Sequence, residues 1–382
     1  MKGGFTIRAT NPWKEIASEP LYDVSSSFWD NFDRGPRSLT NYETSRLEQL
    51  SDKIRNLETD SGESTRVALF GKTITSPVGV ASGPAPNYKW LALFSQLGYS
   101  ILTYKTMRDR RWIGHGMPNL LHVSGDFGHG FVSSMGVTGS ITNSLGMPTP
   151  DPSVWRAEAR RVAETSRDRF FILSVTATVG RETSEEDMLS QFSSLALEGK
   201  NLGADAVELN LSCPNVLPGE GGETYTDAKL SGRVVDAVRK KVGGDFPIFV
   251  KTGYLRDYRE FVEQTWDNRV AYVAMNSVAA VVRDREGVPQ FADRGGKAGI
   301  CGSAIRELAR GAVANLAEQR TGGRDYTIVG LGGVLGPEDA VSLMKSGADI
   351  VESATGALLN PFLALEVRLW LLRAKVGGAN HR

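Results

Sequence analysis

The feature that most constrains the fold is a regular alternation of short apolar runs and amphipathic segments, which begins near residue 66. Each apolar run has three to six residues and is too short to be a helix. Such runs between helical segments are typical of strands buried on both faces of a parallel sheet. The predicted strands are 77–81, 101–104, 170–175, 206–209, 247–250, 270–275, 327–329 and 350–353.

A helical segment follows each predicted strand, and the count of eight pairs decides between two α/β architectures. The predicted helices are 88–96, 152–165, 186–202, 228–242, 258–265, 303–318, 337–346 and 357–374. This order predicts an α/β protein built as a closed (β/α)8 barrel over residues 66–376. An open sheet would usually carry a glycine-rich nucleotide-binding turn after its first strand, and Gly83 alone does not form one.

Three segments lie outside this alternation. Residues 1–65 form an N-terminal extension, in which Leu47, Leu50 and Ile54 recur at the spacing of an amphipathic helix. Its scattered aromatic residues could pack on the outside of the barrel or serve as a peripheral membrane or partner-docking element, and we favour packing. Residues 107–150, rich in glycine and proline, form a long insertion after strand 2, and residues 377–382 form a C-terminal tail.

Composition excludes several classes of function. Lysine plus arginine and aspartate plus glutamate number 44 each, which gives no reason to expect nucleic acid or an anionic membrane as a partner. The two cysteines, Cys213 and Cys301, form neither a disulfide framework nor an iron–sulfur site, and they indicate a reducing compartment. The histidines show no metal-ligand spacing, so we expect no metal. With no signal peptide and no membrane span, we expect an unanchored cytoplasmic protein.

The residues that follow the predicted strands should lie together, because active sites of such barrels lie at the carboxyl ends of the strands. Lysine is almost never buried unless it is paired, so two lysines at strand ends predict a bound anion or an electron-rich ligand. The strand ends are Ser82-Gly83, Lys105-Thr106, Thr176, Asn210 with Cys213 beyond, Lys251-Thr252, Asn276-Ser277, Gly330–Gly333 and Ala354–Gly356.

Three of these features have a functional and a purely structural interpretation. Cys213, set among amide side chains, is either a reactive thiol or a buried structural cysteine. Gly332-Gly333 and Thr355 follow strands 7 and 8, where barrels commonly bind phosphate, although glycine pairs also form plain turns. The segment that begins at Asn143 either presents amides to a ligand or forms an ordinary asparagine–glycine turn.

Together these motifs resemble those of the dihydroorotate dehydrogenases, which are FMN-dependent (β/α)8 barrels, over about residues 67–375. The most specific is Asn-Leu-Ser-Cys-Pro-Asn at 210–215. Others, individually weak, occur in matching order: Ala-Ser-Gly at 81–83, Tyr-Lys-Thr at 104–106, Asn-Ser-Leu-Gly-Met-Pro at 143–148, Val-Lys-Thr at 250–252, Asn-Ser at 276–277, Gly-Gly-Lys-Ala-Gly at 295–299 and Leu-Gly-Gly-Val at 331–334. Members of one main class of this family carry serine at the position of Cys213. With its cysteine, this chain resembles the other, cysteine-type class.

The resemblance implies roles for these residues. Cys213 would be the base that takes the C5 proton of dihydroorotate, and Lys105 would contact both flavin and substrate. The substrate would be held by Asn143, by the backbone of Leu145, Gly146 and Met147, and by Asn210, Asn215, Asn276 and Ser277. The FMN would be held by Ala81, Ser82, Gly83, Lys105, Thr106, Lys251, Gly299, Gly332, Gly333, Ala354 and Thr355.

The implied activity is oxidation of dihydroorotate to orotate in pyrimidine biosynthesis, with hydride transfer to N5 of FMN. One alternative is an FMN oxidoreductase that acts on another dihydropyrimidine or cyclic amide. In the dihydropyrimidine dehydrogenases an acidic residue occupies the position of Leu145. The leucine in this chain favours a carboxylated substrate. A flavin-free, phosphate-binding lyase with Lys105 or Lys251 as a Schiff-base lysine is the remaining alternative. The resemblance also implies a homodimer, and it leaves fumarate, a quinone or an electron-transfer partner subunit as the acceptor.

Overall fold

The computed structural model describes residues 19–212 and 223–379, and within them a parallel eight-stranded barrel holds the chain together. The ring order is β3-β4-β8-β9-β10-β11-β14-β15, and every adjacent pair is parallel. The strands are β3 (Val78–Val80), β4 (Ile101–Met107), β8 (Phe170–Val175), β9 (Ala206–Asn210), β10 (Ile248–Lys251), β11 (Val270–Ala274), β14 (Thr327–Leu331) and β15 (Ile350–Ser353). All eight predicted strands and the (β/α)8 (TIM) barrel are therefore confirmed.

The helices around this barrel lie close to their predicted positions. They are α3 (Tyr88–Gln96), α4 (Pro152–Thr165), α5 (Glu185–Asn201), α6 (Ala228–Val242), α7 (Arg259–Thr265), α8 (Arg306–Glu318), α9 (Pro337–Lys345), α10 (Thr355–Leu359) and α11 (Leu363–Ala379). The single predicted helix 357–374 is wrong, because the chain breaks at Asn360 before Pro361 and forms two helices. Helix α11 also extends to Ala379, into the predicted tail, because glycine near a helix end costs only about 1 kcal/mol.

Side chains alternate between the inside and the outside of the barrel along every strand. The inward set includes Ile101, Phe170, Phe249 and Ile350, which form one apolar cluster. The outward neighbours of these residues pack instead against the surrounding helices. A hairpin of β1 (Val67–Leu69) and β2 (Lys72–Ile74) adds Leu69, Ile74 and Phe70 to the inner cluster and so closes one end of the barrel.

The insertion after strand 2 contains strands that the sequence did not predict. Strands β5 (His122–Asp126), β6 (Gly130–Ser134) and β7 (Ser140–Asn143) lie within it. Two more strands, β12 (Val278–Arg283) and β13 (Lys297–Gly302), follow the sixth barrel strand. The five close into a second, small barrel in the order β12-β13-β7-β5-β6. The pairings that close this barrel join segments about 150 residues apart, so the barrel cannot be recognised from local sequence.

The N-terminal extension packs on the outside of the large barrel. Its predicted amphipathic helix is α2 (Asn41–Ser61), which ends at Gly62 in the left-handed conformation. Leu50 and Ile54 of α2 pack on α11, and Arg368 forms a bidentate ion pair with Glu58 at 2.8 and 3.0 Å. A shorter helix, α1 (Phe28–Arg34), was not predicted, because seven residues are too few to show a helical period.

Replacing Ile54 by alanine tests whether this extension is part of the stable fold. The side chain is only 2% exposed, so its loss should reduce the free energy of unfolding by about 3 kcal/mol. Lys53→Ala, at an exposed position of the same helix, is the matched control and should change it by less than about 0.5 kcal/mol. Urea unfolding of both variants measures the difference, and equal midpoints would show that α2 contributes nothing to the stability of the barrel.

Candidate active site

The carboxyl ends of the barrel strands surround a polar cavity. Two buried lysines, Lys105 on β4 and Lys251 on β10, project into it from different strands. In a closed barrel, an inward-facing residue at the end of a strand can only point into the space that the strands enclose. The other lining residues are Ser82, Gly83, Thr106, Asn143, Leu145, Met147, Asn210 and Asn276.

A chain of side-chain hydrogen bonds orients the amides of this cavity. The Asn210 Nδ2 donates to Thr106 Oγ1 at 3.0 Å, and Asn276 Nδ2 donates to Asn210 Oδ1 at 3.2 Å. Asn276 Nδ2 also donates to the carbonyl of Ser212, while its Oδ1 accepts from the backbone N–H of Ser277 at 2.8 Å. Each bond fixes which end of the amide faces the cavity, so the site presents a defined pattern of donors and acceptors.

The segment after β7 forms one wall of the cavity. The backbone N–H of Leu145 donates to Asn143 Oδ1 at 3.3 Å, and the Leu145 carbonyl accepts from the N–H of His115 at 2.9 Å. Gly146 has φ +68°, and a Cβ there would lie 2.7 Å from the His115 ring. Glycine is therefore required at this turn, which carries Leu145 and Met147 into the cavity wall.

The N-terminal extension supports this wall from outside. Phe28 and Phe32 of α1 form a small apolar cluster with Leu145. The backbone N–H of Phe28 donates to Asn119 Oδ1 at 3.0 Å, and Trp29 Nε1 donates to the carbonyl of Ile113 at 3.0 Å. Residues far apart in the sequence thus hold the cavity wall together.

A second cavity lies beside the first and has Gly83, Asn143, Lys251 and Asn276 in common with it. Most of the residues that the resemblance assigned to the cofactor line this cavity. The predicted members of its lining are Ala81, Gly83, Lys251, Gly332, Gly333, Ala354 and Thr355, with Asn143, Asn276 and Ser277 from the predicted substrate set.

Lys251 links the two cavities electrostatically. Its Nζ donates to Ser82 Oγ at 3.3 Å and lies 3.7 Å from Glu208 Oε1. Both the lysine and the glutamate side chains are buried, so water screens this pair weakly. This ion pair lies at the floor of the site, where an anionic ligand group would face the lysine Nζ.

Two described residues of the predicted site, Gly299 and Gly146, are not among these lining residues. Gly299 lies on β13 opposite Asn143, and Gly302, three residues further along, lines the second cavity. The backbone turn at Gly146 shapes the wall without lining it. Cys213 and Asn215 lie outside the described residues.

Several lining residues were missed by the reasoning from sequence. Cys301, on the unpredicted strand β13, lines the second cavity, as do Met275, Gly302, Ile305 and Val334. An adjacent cavity is mostly apolar and includes Tyr22 and Phe28 of the extension. The apolar run 278–282 was a usable signal for the sheet that carries Cys301, whereas nothing local indicates that Tyr22 or Phe28 reaches the site.

Within the described ranges, no set of three or more histidine, cysteine, aspartate or glutamate residues is arranged to hold a metal ion. In the same part of the chain, no helix combines the length and the apolar character needed to span a bilayer.

Fold and site together define a (β/α)8 barrel with two adjacent cavities at the carboxyl ends of its strands. The family model described as dihydroorotate dehydrogenase matches residues 64–369. The chain belongs to the dihydroorotate dehydrogenase family.

Curated relatives extend this result. The chain is 27% identical over 372 residues to a dihydroorotate dehydrogenase of Dictyostelium discoideum, covering 91% of this chain and 96% of the relative. It is 29% identical over 292 residues to the catalytic subunit of a dihydroorotate dehydrogenase B (NAD(+)) of Methanocaldococcus jannaschii, covering 75% of this chain and 85% of that protein. A dihydroorotate dehydrogenase (quinone) of Paracidovorax citrulli is 25% identical over 316 residues, covering 78% and 83%. Coverage of 91% means that the alignment to the Dictyostelium protein includes part of residues 1–65.

The solved structures support the fold. A ligand-free DHODH of Eimeria tenella is 17% identical with a TM-score of 0.64, covering 88% of this chain and 99% of that one. A second Eimeria tenella structure, in complex with ferulenol, has the same TM-score at 18% identity and covers 83% and 89%.

The thiol of Cys301 offers a test of the site's dryness. The Cys301 side chain is partly exposed at the cavity wall, yet desolvation of its thiol raises the pKa to about 12, against the opposing effects of a hydrogen bond with Ser277 and the charge of Lys251. Because a raised pKa keeps the thiol protonated at pH 8, and the greater nucleophilicity of its thiolate offsets only part of this effect, Cys301 should react with a disulfide reagent about a hundredfold more slowly than a free thiol. The variant Cys213→Ala leaves Cys301 as the one cysteine in the chain, so its labelling rate can be followed directly. Urea-unfolded protein is the control, and an equal rate in the folded state would contradict the burial.

Proposed function

We propose that this protein oxidises dihydroorotate to orotate with FMN as its cofactor, as a step of pyrimidine biosynthesis. The observation that carries the proposal is the cavity in which Asn143, Asn210 and Asn276 converge with Lys105, beside a second cavity floored by Lys251. Membership in the dihydroorotate dehydrogenase family supplies the reaction class, oxidation of a C–C single bond to a double bond.

The amide cluster suits a dihydropyrimidine ring. Such a ring presents N–H and C=O groups around its edge, and an asparagine side chain can donate to one and accept from the other. Because Asn210 and Asn276 are held by hydrogen bonds, they need little reorganisation when the ring binds. We assign the ring to Asn143, Asn210, Asn215, Asn276 and Ser277 and the carboxylate to the turn of Leu145, Gly146 and Met147.

The second cavity fits FMN. The hydroxyl of Thr355 lines it and is buried without a hydrogen-bond partner among the described residues, as expected of a group reserved for a ligand. Gly332 and Gly333 have φ values of +131° and +74°, so the backbone there turns in a way that other residues would resist. We assign the phosphate to these glycines and Thr355, and the ring system to Ala81, Ser82, Gly83, Lys105, Thr106, Lys251 and Ala354. Bound FMN supplies the acceptor for the hydride that leaves C6 of the substrate.

Cys213 is our candidate for the base that removes the C5 proton. The two residues before Cys213 support this assignment. The carbonyl of Ser212 accepts a hydrogen bond from Asn276, and the N–H of Leu211 donates to the carbonyl of Lys251 at 3.1 Å. The chain that leads to the thiol is therefore anchored at the mouth of the barrel. A thiol begins with a pKa near 8.5, which a neighbouring cation lowers towards the range useful for a base.

The second half-reaction and the assembly are finer points of the proposal. Relatives named for NAD(+) and for quinone both match this chain, so similarity does not select an acceptor. We propose a cytoplasmic homodimer, with electrons passed either to a small acceptor or to a partner subunit. Light scattering of the purified protein would measure the mass of the assembly.

Dihydroorotate should reduce the bound cofactor directly. The purified protein is expected to be yellow, with flavin absorbance near 450 nm that bleaches on anaerobic addition of dihydroorotate. A colourless protein that is active on a phosphorylated substrate would favour the lyase alternative. Bleaching by dihydrouracil but not by dihydroorotate would instead indicate an uncarboxylated substrate.

Replacement of Cys213 tests the base. In Cys213→Ala the rate of flavin bleaching by dihydroorotate should fall by about a hundredfold or more, because nothing replaces the proton acceptor. Cys213→Ser should retain partial activity with a pH optimum shifted upwards, since a hydroxyl is the weaker acid. The flavin spectrum and the affinity for orotate control for loss of either ligand. Bleaching of Cys213→Ala at the wild-type rate would contradict the assignment.

A further inference from the structure

Three ionisable side chains lie inside the barrel directly below the active site. Glu208 on β9, Lys251 on β10 and Glu352 on β15 are exposed by 1%, 4% and 1% respectively. Acidic residues are almost never buried so completely unless they are paired. The apolar runs 206–209 and 350–353 each carry one of these glutamates in the middle, and the catalytic roles assigned above use neither.

Glu208 has partners that satisfy a carboxylate. Its Oε1 accepts from the hydroxyl of Ser174 at 2.6 Å and lies 3.7 Å from Lys251 Nζ. Ser174 in turn shares a hydrogen bond of 2.9 Å with Thr106, and Asn210 donates to that threonine. The charge of Lys251 is therefore already balanced by Glu208, which is tied through this chain to the amides of the substrate cavity.

Glu352 is not balanced in the same way. Its Oε1 accepts from Thr103 Oγ1 at 2.7 Å, but its buried Oε2 has no hydrogen-bond partner among the described residues. The chain provides room for this side chain: a Cβ on Gly79 would lie 3.1 Å from Glu352 Cγ and 2.9 Å from Ile101 Cβ. An unpartnered carboxyl oxygen in a space kept open by a glycine is unusual in a barrel interior.

The groups that face Glu352 set its protonation. The charged groups on the inward face of the barrel are Glu208 from β9, Lys251 from β10 and Lys105 from β4, while the adjacent β14 and β3 present only Leu331 and Gly79. Burial first, and then the charge of Glu208, raise the pKa of Glu352 to about 8, against the opposing effects of Lys251 and of the Thr103 hydrogen bond. A carboxyl in this position therefore stays protonated at neutral pH and ionises as the pH rises through about 8.

The position of Glu352 relative to the cofactor cavity gives this charge a consequence. Ala354, the next inward residue of β15, lines that cavity, as do Lys251 and Leu331, the residue paired with Glu352 on β14. Glu352 thus lies one layer below the cavity, where the low dielectric makes charges interact strongly. Negative charge added above it would disfavour a second negative charge on the carboxyl.

We propose that Glu352 is a positioning residue for the redox reaction, which takes up a proton from solvent when negative charge is added to the cavity above and releases it when that charge leaves. This inference rests on the proposed function, since the added charge is that of reduced FMN. No electrons pass through the carboxyl: one O–H bond forms on reduction and the same bond breaks on reoxidation.

The potential of the bound cofactor tests the proposal in Glu352→Gln. Above about pH 8, where the carboxyl is ionised in the oxidised protein, the wild-type midpoint potential should fall about twice as steeply with pH as that of the variant, because the carboxylate takes up a second proton on reduction. Glu158→Gln is the matched control: Glu158 is a half-buried acid on α4 whose pKa burial also raises, but it bonds Tyr104 and does not face the interior of the barrel. Its slope should equal that of the wild type. Equal slopes in wild type and Glu352→Gln would overturn the proposal.

A measurement without FMN keeps the test independent of cofactor binding. A carboxyl with a raised pKa binds its proton in the folded state while the unfolded chain has released it, so the folded protein loses stability as pH rises from about 5 to 8. The stability of apo Glu352→Gln relative to apo wild type should therefore rise across this range, measured as the shift in urea midpoint. A pH-independent difference would show that the carboxyl does not titrate there and would overturn the proposal. If the purified protein contained no FMN, the proposed function would be contradicted instead. The measurement on the apo protein would still report on Glu352.

Discussion

The alternation of side chains between the inside and the outside of the closed barrel is the constraint on which the rest of the structure depends. Each inward position joins a layer contributed by other strands, so its chemistry is shared around the ring. Near the β1–β2 plug the layers are apolar, with Phe170 and Phe249 against Phe70. Towards the carboxyl ends they become polar, at Glu208 and then Asn210. The same alternation of side chains thus produces both the apolar end of the barrel and the polar end that carries the active site.

The polar layers are coupled by direct contacts. Asn276, Asn210, Thr106, Ser174 and Glu208 form a continuous series of hydrogen bonds from the substrate cavity to the interior of the barrel. Such buried networks hold one arrangement firmly because every broken bond would leave a polar group unsatisfied. The catalytic cavity and the charged layer below it are therefore parts of one electrostatic unit.

The second barrel and the N-terminal extension complete the site that the main barrel begins. Strand β7 ends at Asn143, and β13 pairs with it and brings Cys301 to the cofactor cavity. Arg294 reaches from the 3₁₀ turn before β13 to the carbonyls of Gly116 and Pro118, at 3.0 and 3.2 Å, and so holds the insertion in place. Helix α1 covers the outer side of Leu145. These contacts explain why an enzyme with a small substrate has long additions to its barrel.

Local sequence patterns were enough to define the main barrel, because buried parallel strands appear in the sequence as short apolar runs. The order of the strands then determines which residues meet at the carboxyl end of the barrel. Lys105, Asn210 and Lys251 could therefore be assigned to one site from the order of the strands alone. The folded chain was needed to show that β5, β6, β7, β12 and β13 form a second barrel, that Tyr22 and Phe28 reach the site, and that Gly302 rather than Gly299 lines it. Folding also brings Glu208 and Glu352 to the same lysine. Contacts between residues far apart in the chain leave no local periodicity, and the charge state of a buried acid depends on neighbours that only folding brings together.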